Sequence, residues 1–521
     1  MPLPEGGNMP WPPRYLKPAL TDMHIWDTWW AGDPDRLTSL YGGGVTSGFD
    51  PKRGQYAGGL VGRLSRWWWG QPTPAGEERS HIHVPIAGDI CAMSARLLFA
   101  EPPKITAADR GTQDQLTEYL DDRAHARLKN AAEVSAMLGG VYLRTVHDTD
   151  ISDRPWIDTV HADRAVPEFT WGMLRAVTFW RIMAEDDGQV WRHLERHEPG
   201  WVMHGLYQGT RDQLGMPVPL EDMPALAGLA REVDSEGRIA TNIKGLGPTY
   251  VANRMSRRWR SMPGLEHLGR SDLDGVVSLM DNLDEAYGSW MRDIRLAKGR
   301  VHVPESMLDS NGPGRGSRFD VDREVYATLN ALQRPGNSLT LAVTQFAIRA
   351  AEHKATVDDL VERILTSAGY STQTFGASDQ VAITATEVDS KERLTGLTKA
   401  DKVLTWRPEL SHALGNWLAT YREVFGAKVS TEPPAVAFAD GIREDMLTLA
   451  NTVDALRRAQ AASTQTLVEI VHPDWDPSQV SAEVARILAE TGMATEDPTA
   501  FGADELPPGD DFGQESDPIE G

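Results

Sequence analysis

The 521-residue chain has a single cysteine, Cys91, which excludes an internal disulfide framework and any thiolate-rich zinc site. No window reaches the ~18 consecutive apolar residues that a membrane-spanning helix needs. The phosphate-loop pattern Gly-x-x-x-x-Gly-Lys-Ser/Thr is missing, which excludes a P-loop motor. So are His-Glu-x-x-His and Gly-x-Ser-x-Gly, which removes two common hydrolase signatures. Positive charge is short: 52 Lys and Arg stand against 75 Asp and Glu, a net charge of −23. That balance argues against a module gripping DNA through a broad basic surface. Lysine is scarcest, 11 residues against 41 arginines, a bias read as genome composition rather than function. The N-terminus lacks the apolar core of a signal peptide and carries six prolines in its first 18 residues. It is expected to form an extended arm, on a protein used without passing a secretion channel.

What is present suits a chain that buries a real core, with 40% hydrophobic and 24% charged residues. At ~150 residues per domain, the length allows about three or four domains or subdomains. The 17 tryptophans outnumber either the 11 phenylalanines or the 11 tyrosines. Large buried anchors explain them, and anchors at subunit interfaces are the sharper alternative. Helical spacing is expected over Pro85–Phe99 and Gln113–Leu138, the latter closed by Gly139-Gly140. Residues 141–210 alternate and carry turns such as Asp186-Asp187-Gly188, which predicts an antiparallel β insertion. Residues 211–250 read as irregular, with a short helix near Ala225–Val233.

The most informative segment starts at Ser271, where Ser271-x-x-Asp274 reads as a helix start. Leu273, Val277, Met280, Leu283, Tyr287, Trp290 and Ile294 then form one apolar stripe, with acids early and Arg292, Arg295, Lys298 and Arg300 late, as the helix dipole favours. A helix over 271–297 would be about 40 Å long and would need neighbours along its whole length. Further on, Leu339-x-Leu341-x-Val343 reads as a strand. A helix from Thr356 is expected to end at Gly369, 370–386 reads as a loop, and helices follow from Glu387, over Leu410–Phe425, Asp440–Ala461 and Ser478–Thr491. Beyond Arg486 there are ten acidic residues and no basic one, which predicts a disordered acidic tail.

Catalytic chemistry is hard to find. His81-x-His83 has a spacing metals accept, with Asp89 or His302 as possible third ligands, but a structural pair is the better reading. Gly312–Gly316 neither follows a strand nor opens a helix, so it reads as a turn. No catalytic residue, metal site or cofactor is assigned.

The stretch from His81-Ile82-His83-Val84-Pro85 to Leu97-Leu98-Phe99-Ala100-Glu101-Pro102-Pro103 resembles the N-terminal region of tailed-bacteriophage portal proteins. Ser271-Asp272-Leu273, Leu283-Asp284-Glu285-Ala286-Tyr287 and Ser289-Trp290-Met291-Arg292-Asp293 are similar to their first stem segment. Ala368-Gly369-Tyr370-Ser371-x-Gln373-Thr374-Phe375-Gly376 resembles the approach to their tunnel loop. The resemblance covers roughly residues 10–430, in order, and is nearest to portals of siphophages infecting actinobacteria. It implies an α+β, mainly α, portal fold: wing 1–265, stem 266–297, clip 298–349, second stem helix 350–369, tunnel loop 370–386, tunnel helix and crown 387–495, and a disordered tail 496–521. It also implies a non-enzymatic dodecameric ring at one capsid vertex, assembled in the host cytoplasm and carried in the virion. Double-stranded DNA would pass through the channel, with terminase large subunit, major capsid protein and head–tail adaptor as partners and no membrane. Lys391, Arg393, Lys399 and Lys402 become the bases expected to face the channel, and the 273–294 stripe the packing between subunits. A metal-dependent hydrolase built on His81 and His83, and another ring-forming capsid or tail connector, are the alternatives.

Overall fold

A computed structural model describes residues 3–42, 82–296, 348–376, 385–439, 446–472, 475 and 477–490, with the short strands 300–302, 309–310, 317–318 and 342–344. The fold is mixed, with long helices and antiparallel sheets, in two units, 1–439 and 440–521. The Trp67–Trp69 run and Gly312–Gly316 lie outside the described residues, as does the tail.

The N-terminal arm forms strand β1 (Gly7–Pro10), then helices α1 (Lys17–Ala31) and α2 (Pro34–Gly42). Helix α3 (Ile86–Phe99) follows where periodicity placed it. The single helix expected over 113–138 is two, α4 (Arg110–Tyr119) and α5 (Asp122–Leu138). Asp121 divides them: its carboxylate accepts the Ala124 amide at 2.8 Å and caps the second helix.

The β insertion is larger than 141–210. Strand β2 (Lys104–Thr106) pairs with Ala435–Ala437. Strands β3 (Gly140–Val146), β4 (Trp156–His161) and β11 (Thr249–Ala252) make a three-stranded sheet in the order β11-β3-β4. The larger sheet holds β5 (Ala165–Thr170), β6 (Met173–Asp186), β7 (Gln189–Glu198), β8 (Trp201–Gly209) and β9 (Gln213–Val218) as a meander. β1 pairs with β9 at one edge, and β10 (Arg238–Ala240) pairs with β8. Two-residue turns join the middle strands. Asp187-Gly188 and Trp171-Gly172 have positive φ at both positions, the geometry that matches strand twist. Residues 213–218 and 238–240 are therefore strands in a segment expected to be irregular, and the short helix is Leu229–Glu232, α6.

The helix expected from Ser271, α7, runs Val277–Leu296 and does not begin at Ser271. The Ser271 hydroxyl donates to the carbonyls of Met137 (2.6 Å) and Ala136 (3.1 Å) and accepts the Leu273 amide at 3.0 Å, organising a turn. Gly275, at φ 87, is in a backbone region that side chains resist, so the helix starts after it. Helix α8 (Ala350–Ala368) is antiparallel to α7 and ends on Gly369 in the left-handed conformation. The long amphipathic helix thus has a neighbour in its own chain. Between the two lie the strand pairs 300–302/342–344 and 309–310/317–318.

Helix α9 (Ala385–Phe425) is continuous through Pro408, where two helices were expected; its 41 residues span about 60 Å. Its buried positions include Thr395, Thr398, Lys402, Trp406, Leu410, Leu414 and Trp417. Trp26, Trp29, Trp259, Trp406 and Trp417 are core anchors, whereas Trp171 and Trp201 are exposed. The smaller unit contains α10 (Met446–Arg458), α11 (Thr464–Val471) and α12 (Pro477–Glu490). The middle one was not expected, although Ser463 caps it by accepting the Thr466 amide.

Candidate functional site

The chain places its strongest electrostatic feature where α7 and α8 begin and end. Gly139, closing α5, and Gly269 approach back to back: a Cβ on Gly269 would lie 2.0 Å from the Gly139 carbonyl oxygen. Only glycine permits this crossing. It delivers residues 270–273 onto the end of α5, where the Asp272 amide donates to the Ala136 carbonyl at 2.9 Å.

Asp272 has no solvent exposure, and four side chains from different parts of the chain surround its carboxylate. Lys402 Nζ, from α9, lies 2.5 Å from Oδ2, and Tyr370 donates its hydroxyl to the same oxygen at 2.7 Å. Arg254, after β11, pairs with Oδ1 at 2.9 Å, and Asn253 Nδ2 donates to it at 2.9 Å. Lys402 also contacts the Ser94 hydroxyl of α3. Arg254 reaches on to the Ala368 carbonyl at the end of α8, at 2.9 Å. One carboxylate therefore ties together α3, β11, the turn before α7, the end of α8 and α9.

Burial by itself would raise the Asp272 carboxyl; Lys402 and Arg254 outweigh it and hold it below its ordinary value. Burial lowers Lys402, opposed by Asp272. Burial and then the Asp272 charge push Tyr370 up, so it stays a donor. Cys91, one turn before Ser94 and fully buried, is raised well above its usual value by burial and then by Asp272. Two cations face one anion here, so removing Asp272 would leave uncompensated buried charge.

Lys402 is consequently not a channel-facing base. It is 1% exposed and is consumed in the core. Arg393 is exposed on α9, and Lys399 Nζ donates to the Ala439 carbonyl at 2.6 Å. The Lys391 side chain lies outside the described residues. The stripe on α7 also divides. Leu273, Met280 and Leu283 are wholly buried inside the single chain and are not free for packing between subunits. Val277, Tyr287 and Trp290 are half-buried, and Ile294 is 39% exposed. Trp290 stacks on His353 of α8 with centroids 6.1 Å apart, and Asp293 takes both His353 Nε2 and Arg349 Nη2 at 3.0 Å.

His83 has a different partner from the one a metal site requires. Its Nδ1 lies 2.9 Å from Asp284 on α7, and the same carboxylate accepts the Val84 amide at 2.9 Å. This pair fastens α7 to the segment leading into α3. Asp89 is exposed, while His81 and the His302 side chain lie outside the described residues. Among the described residues no cluster of three or more His, Cys, Asp or Glu is arranged to hold a metal ion. None of their helices is long and apolar enough to cross a membrane.

A second buried polar cluster lies in the large sheet. His193 and His204 stack, with Nε2 of the first 3.2 Å from Nδ1 of the second. Beside them Glu195 is paired with Arg144 at 2.5 Å and with His197 at 2.7 Å. Burial lowers His193 to about 3 and His204 to about 4.

The Asp272 cluster escaped sequence reasoning because its members are spread from residue 94 to residue 402. One signal was available: Lys402 falls in register with Thr395, Thr398, Trp406 and Leu410, on the buried face of its helix.

No family model matches the chain, and no curated protein matches it. Among solved structures it is similar to a chain of "Neck of native GTA particle computed with C12 symmetry", at 12% identity and TM-score 0.38, covering 77% of this chain and 89% of that one. It is also similar to a chain of "Neck of empty GTA particle computed with C6 symmetry", at 12% identity and TM-score 0.39, covering 83% and 94%.

Proposed function

We propose that this chain is the subunit of a phage-type portal, a ring at one capsid vertex that conducts double-stranded DNA and performs no catalysis. The supporting observation is the α7/α8 hairpin. Its root is locked into the body by Asp272, whereas toward its far end Tyr287 and Trp290 are half-buried, and Ile294 and Ile348 stay 39% and 43% exposed. A rigidly rooted hairpin with unspent apolar surface at its tip is what copies standing side by side would use. The sequence motifs that resemble portals fall on α3, on the turn and start of α7, and on the end of α8, the elements that Asp272 joins. The net charge of −23 fits a conduit, because lasting phosphate contacts would brake sliding DNA.

In this reading the wing carries the sheets, α7 and α8 form the stem, and 298–349 the clip. Residues 370–386 are the tunnel loop, with Arg393 and Lys399 meeting DNA and the 440–495 region as part of the crown. Terminase large subunit, major capsid protein and head–tail adaptor dock on the ring, which resides in the virion. Electron-microscopy class averages of the purified chain should show rings of near twelve subunits with a central channel. A monomer at every concentration would refute the reading.

A further inference from the structure

The three-stranded sheet separates two loops of opposite charge. Strand β11 is antiparallel to β3, with Ala252 paired to Gly140, so the 253–262 loop leaves at the start of β3. Strand β4 pairs Trp156 with Val146, so the 147–155 loop leaves at the other end. Seven residues of β3 set the two loops about 20 Å apart.

The first loop belongs to a stretch, 237–265, that holds six bases and no acid in a chain of charge −23. Trp259 is buried and anchors it, and Arg258 is bound to Asp22 (2.7 Å) and Asp274 (3.1 Å). Arg257 and Arg260 are exposed, next to Met255 at 75% exposure and Met262 at 37%. The second loop has the opposite character. Asp148, Asp150 and Asp153 are exposed around Ile151, which is itself 73% exposed. The loop is held in shape by the Asp150 amide donating to the Asp148 carboxylate (2.9 Å) and the Ser152 amide to the Asp148 carbonyl (3.0 Å). Its one base, Arg154, pairs with Glu118 at 2.6 Å and more loosely with Asp153 at 3.5 Å, which leaves Asp148 and Asp150 without a cation in the loop.

We infer that these loops are the two halves of one contact: Met255, Arg257, Arg260 and Met262 of one copy dock on Asp148, Asp150, Ile151 and Asp153 of the next. Each surface joins exposed apolar side chains to one sign of charge, and both are preorganised, which lowers the cost of docking. Copies carrying −23 repel each other except where such a patch meets its complement, so the pair fixes register and orientation. Unlike patches at opposite ends of one sheet give a head-to-tail contact, the kind that closes into rings. The inference rests on the ring reading above and names the surfaces that would make it.

The experiment reverses each loop in the full chain and weighs the assemblies by mass photometry at physiological salt. R257E with R260E, or D150K with D153K, should each lower the ring fraction by on the order of tenfold, with the far-UV circular dichroism unchanged. Mixing the two double variants should restore rings, now alternating and even-numbered, and the fourfold variant should form rings alone. Wild-type rings with undiminished rings from both double variants would overturn the docking and leave the portal reading standing. So would folded double variants that fail to complement each other. R257E with R260E rings that assemble normally but bind duplex DNA about tenfold more weakly would reassign the basic loop to phosphate. A wild-type chain that never assembles would remove both readings.

Discussion

The His193–His204 stack in the sheet and the Asp272 root at the hairpin meet the cost of burying ionisable groups by opposite means. In the sheet, His193 and His204 give up their charge and pack ring against ring. At the hairpin root, Asp272 and Lys402 keep theirs and hold each other, with Arg254 as a second cation. The neutral solution is sensitive to mild acid but indifferent to loss of any one partner's charge. The charged solution tolerates acid but depends on its shared anion. The sheet can therefore be compact without specifying distant geometry, whereas the root dictates where five elements meet.

The largest test of that contrast is Asp272→Asn. It leaves Lys402 and Arg254 without their shared anion, and breaking a buried pair costs about 3–5 kcal/mol, so urea unfolding of the full chain should shift by at least that amount. A loss below about 1 kcal/mol would show that the root is not dependent on the pair.

Acid should act next, and first on the sheet. The unfolded chain protonates its histidines near 6.5, whereas the folded one holds His193 to about 3 and His204 to about 4. Below 6.5 the unfolded state binds more protons, so stability complete at neutral pH falls as pH drops. At about pH 5 the loss is on the order of 2 kcal/mol per imidazole. The root carboxylate, depressed from 3.8, gives up its contribution only as pH falls through its lower folded value. Denaturant midpoints at neutral pH and at about pH 5 should therefore move, and His193→Gln should flatten the difference. An unchanged slope in that variant would break the contrast.

Within the hairpin, the root-to-tip gradient predicts the smallest effect. Ile294→Asp should alter monomer stability by less than about 0.5 kcal/mol, since the side chain is already 39% exposed, yet reduce ring formation. Equal loss of both would mean that the tip is packed within the chain.

Much of this architecture was legible residue by residue. Gly369 marked the end of α8, and Asp187-Gly188 a two-residue hairpin, because glycine and aspartate at those positions answer a backbone demand. Ser271-x-x-Asp274 misled because a serine that organises a turn and one that caps a helix share the same local pattern. What decides is the pair of carbonyls 134 and 135 residues away in sequence that take its hydroxyl. Lys402 misled for a related reason: among alternating charges it looked like a surface base, and its carboxylate partner lies 130 residues earlier. Local chemistry was readable, while a cluster assembled from distant segments was not.

The lone sulfhydryl at Cys91 follows from all this in a practical way. It is wholly enclosed, its thiolate is disfavoured, and it lies one helical turn from the serine that Lys402 touches. A maleimide can reach it only while that region is transiently open, so the labelling rate of the native chain is a clock for opening. Asp272→Asn should run that clock faster, and assembled particles, if their neighbours brace the hairpin, should run it slower than free subunits. No engineered probe is needed, because the chain carries its own stopwatch at the junction whose opening matters most.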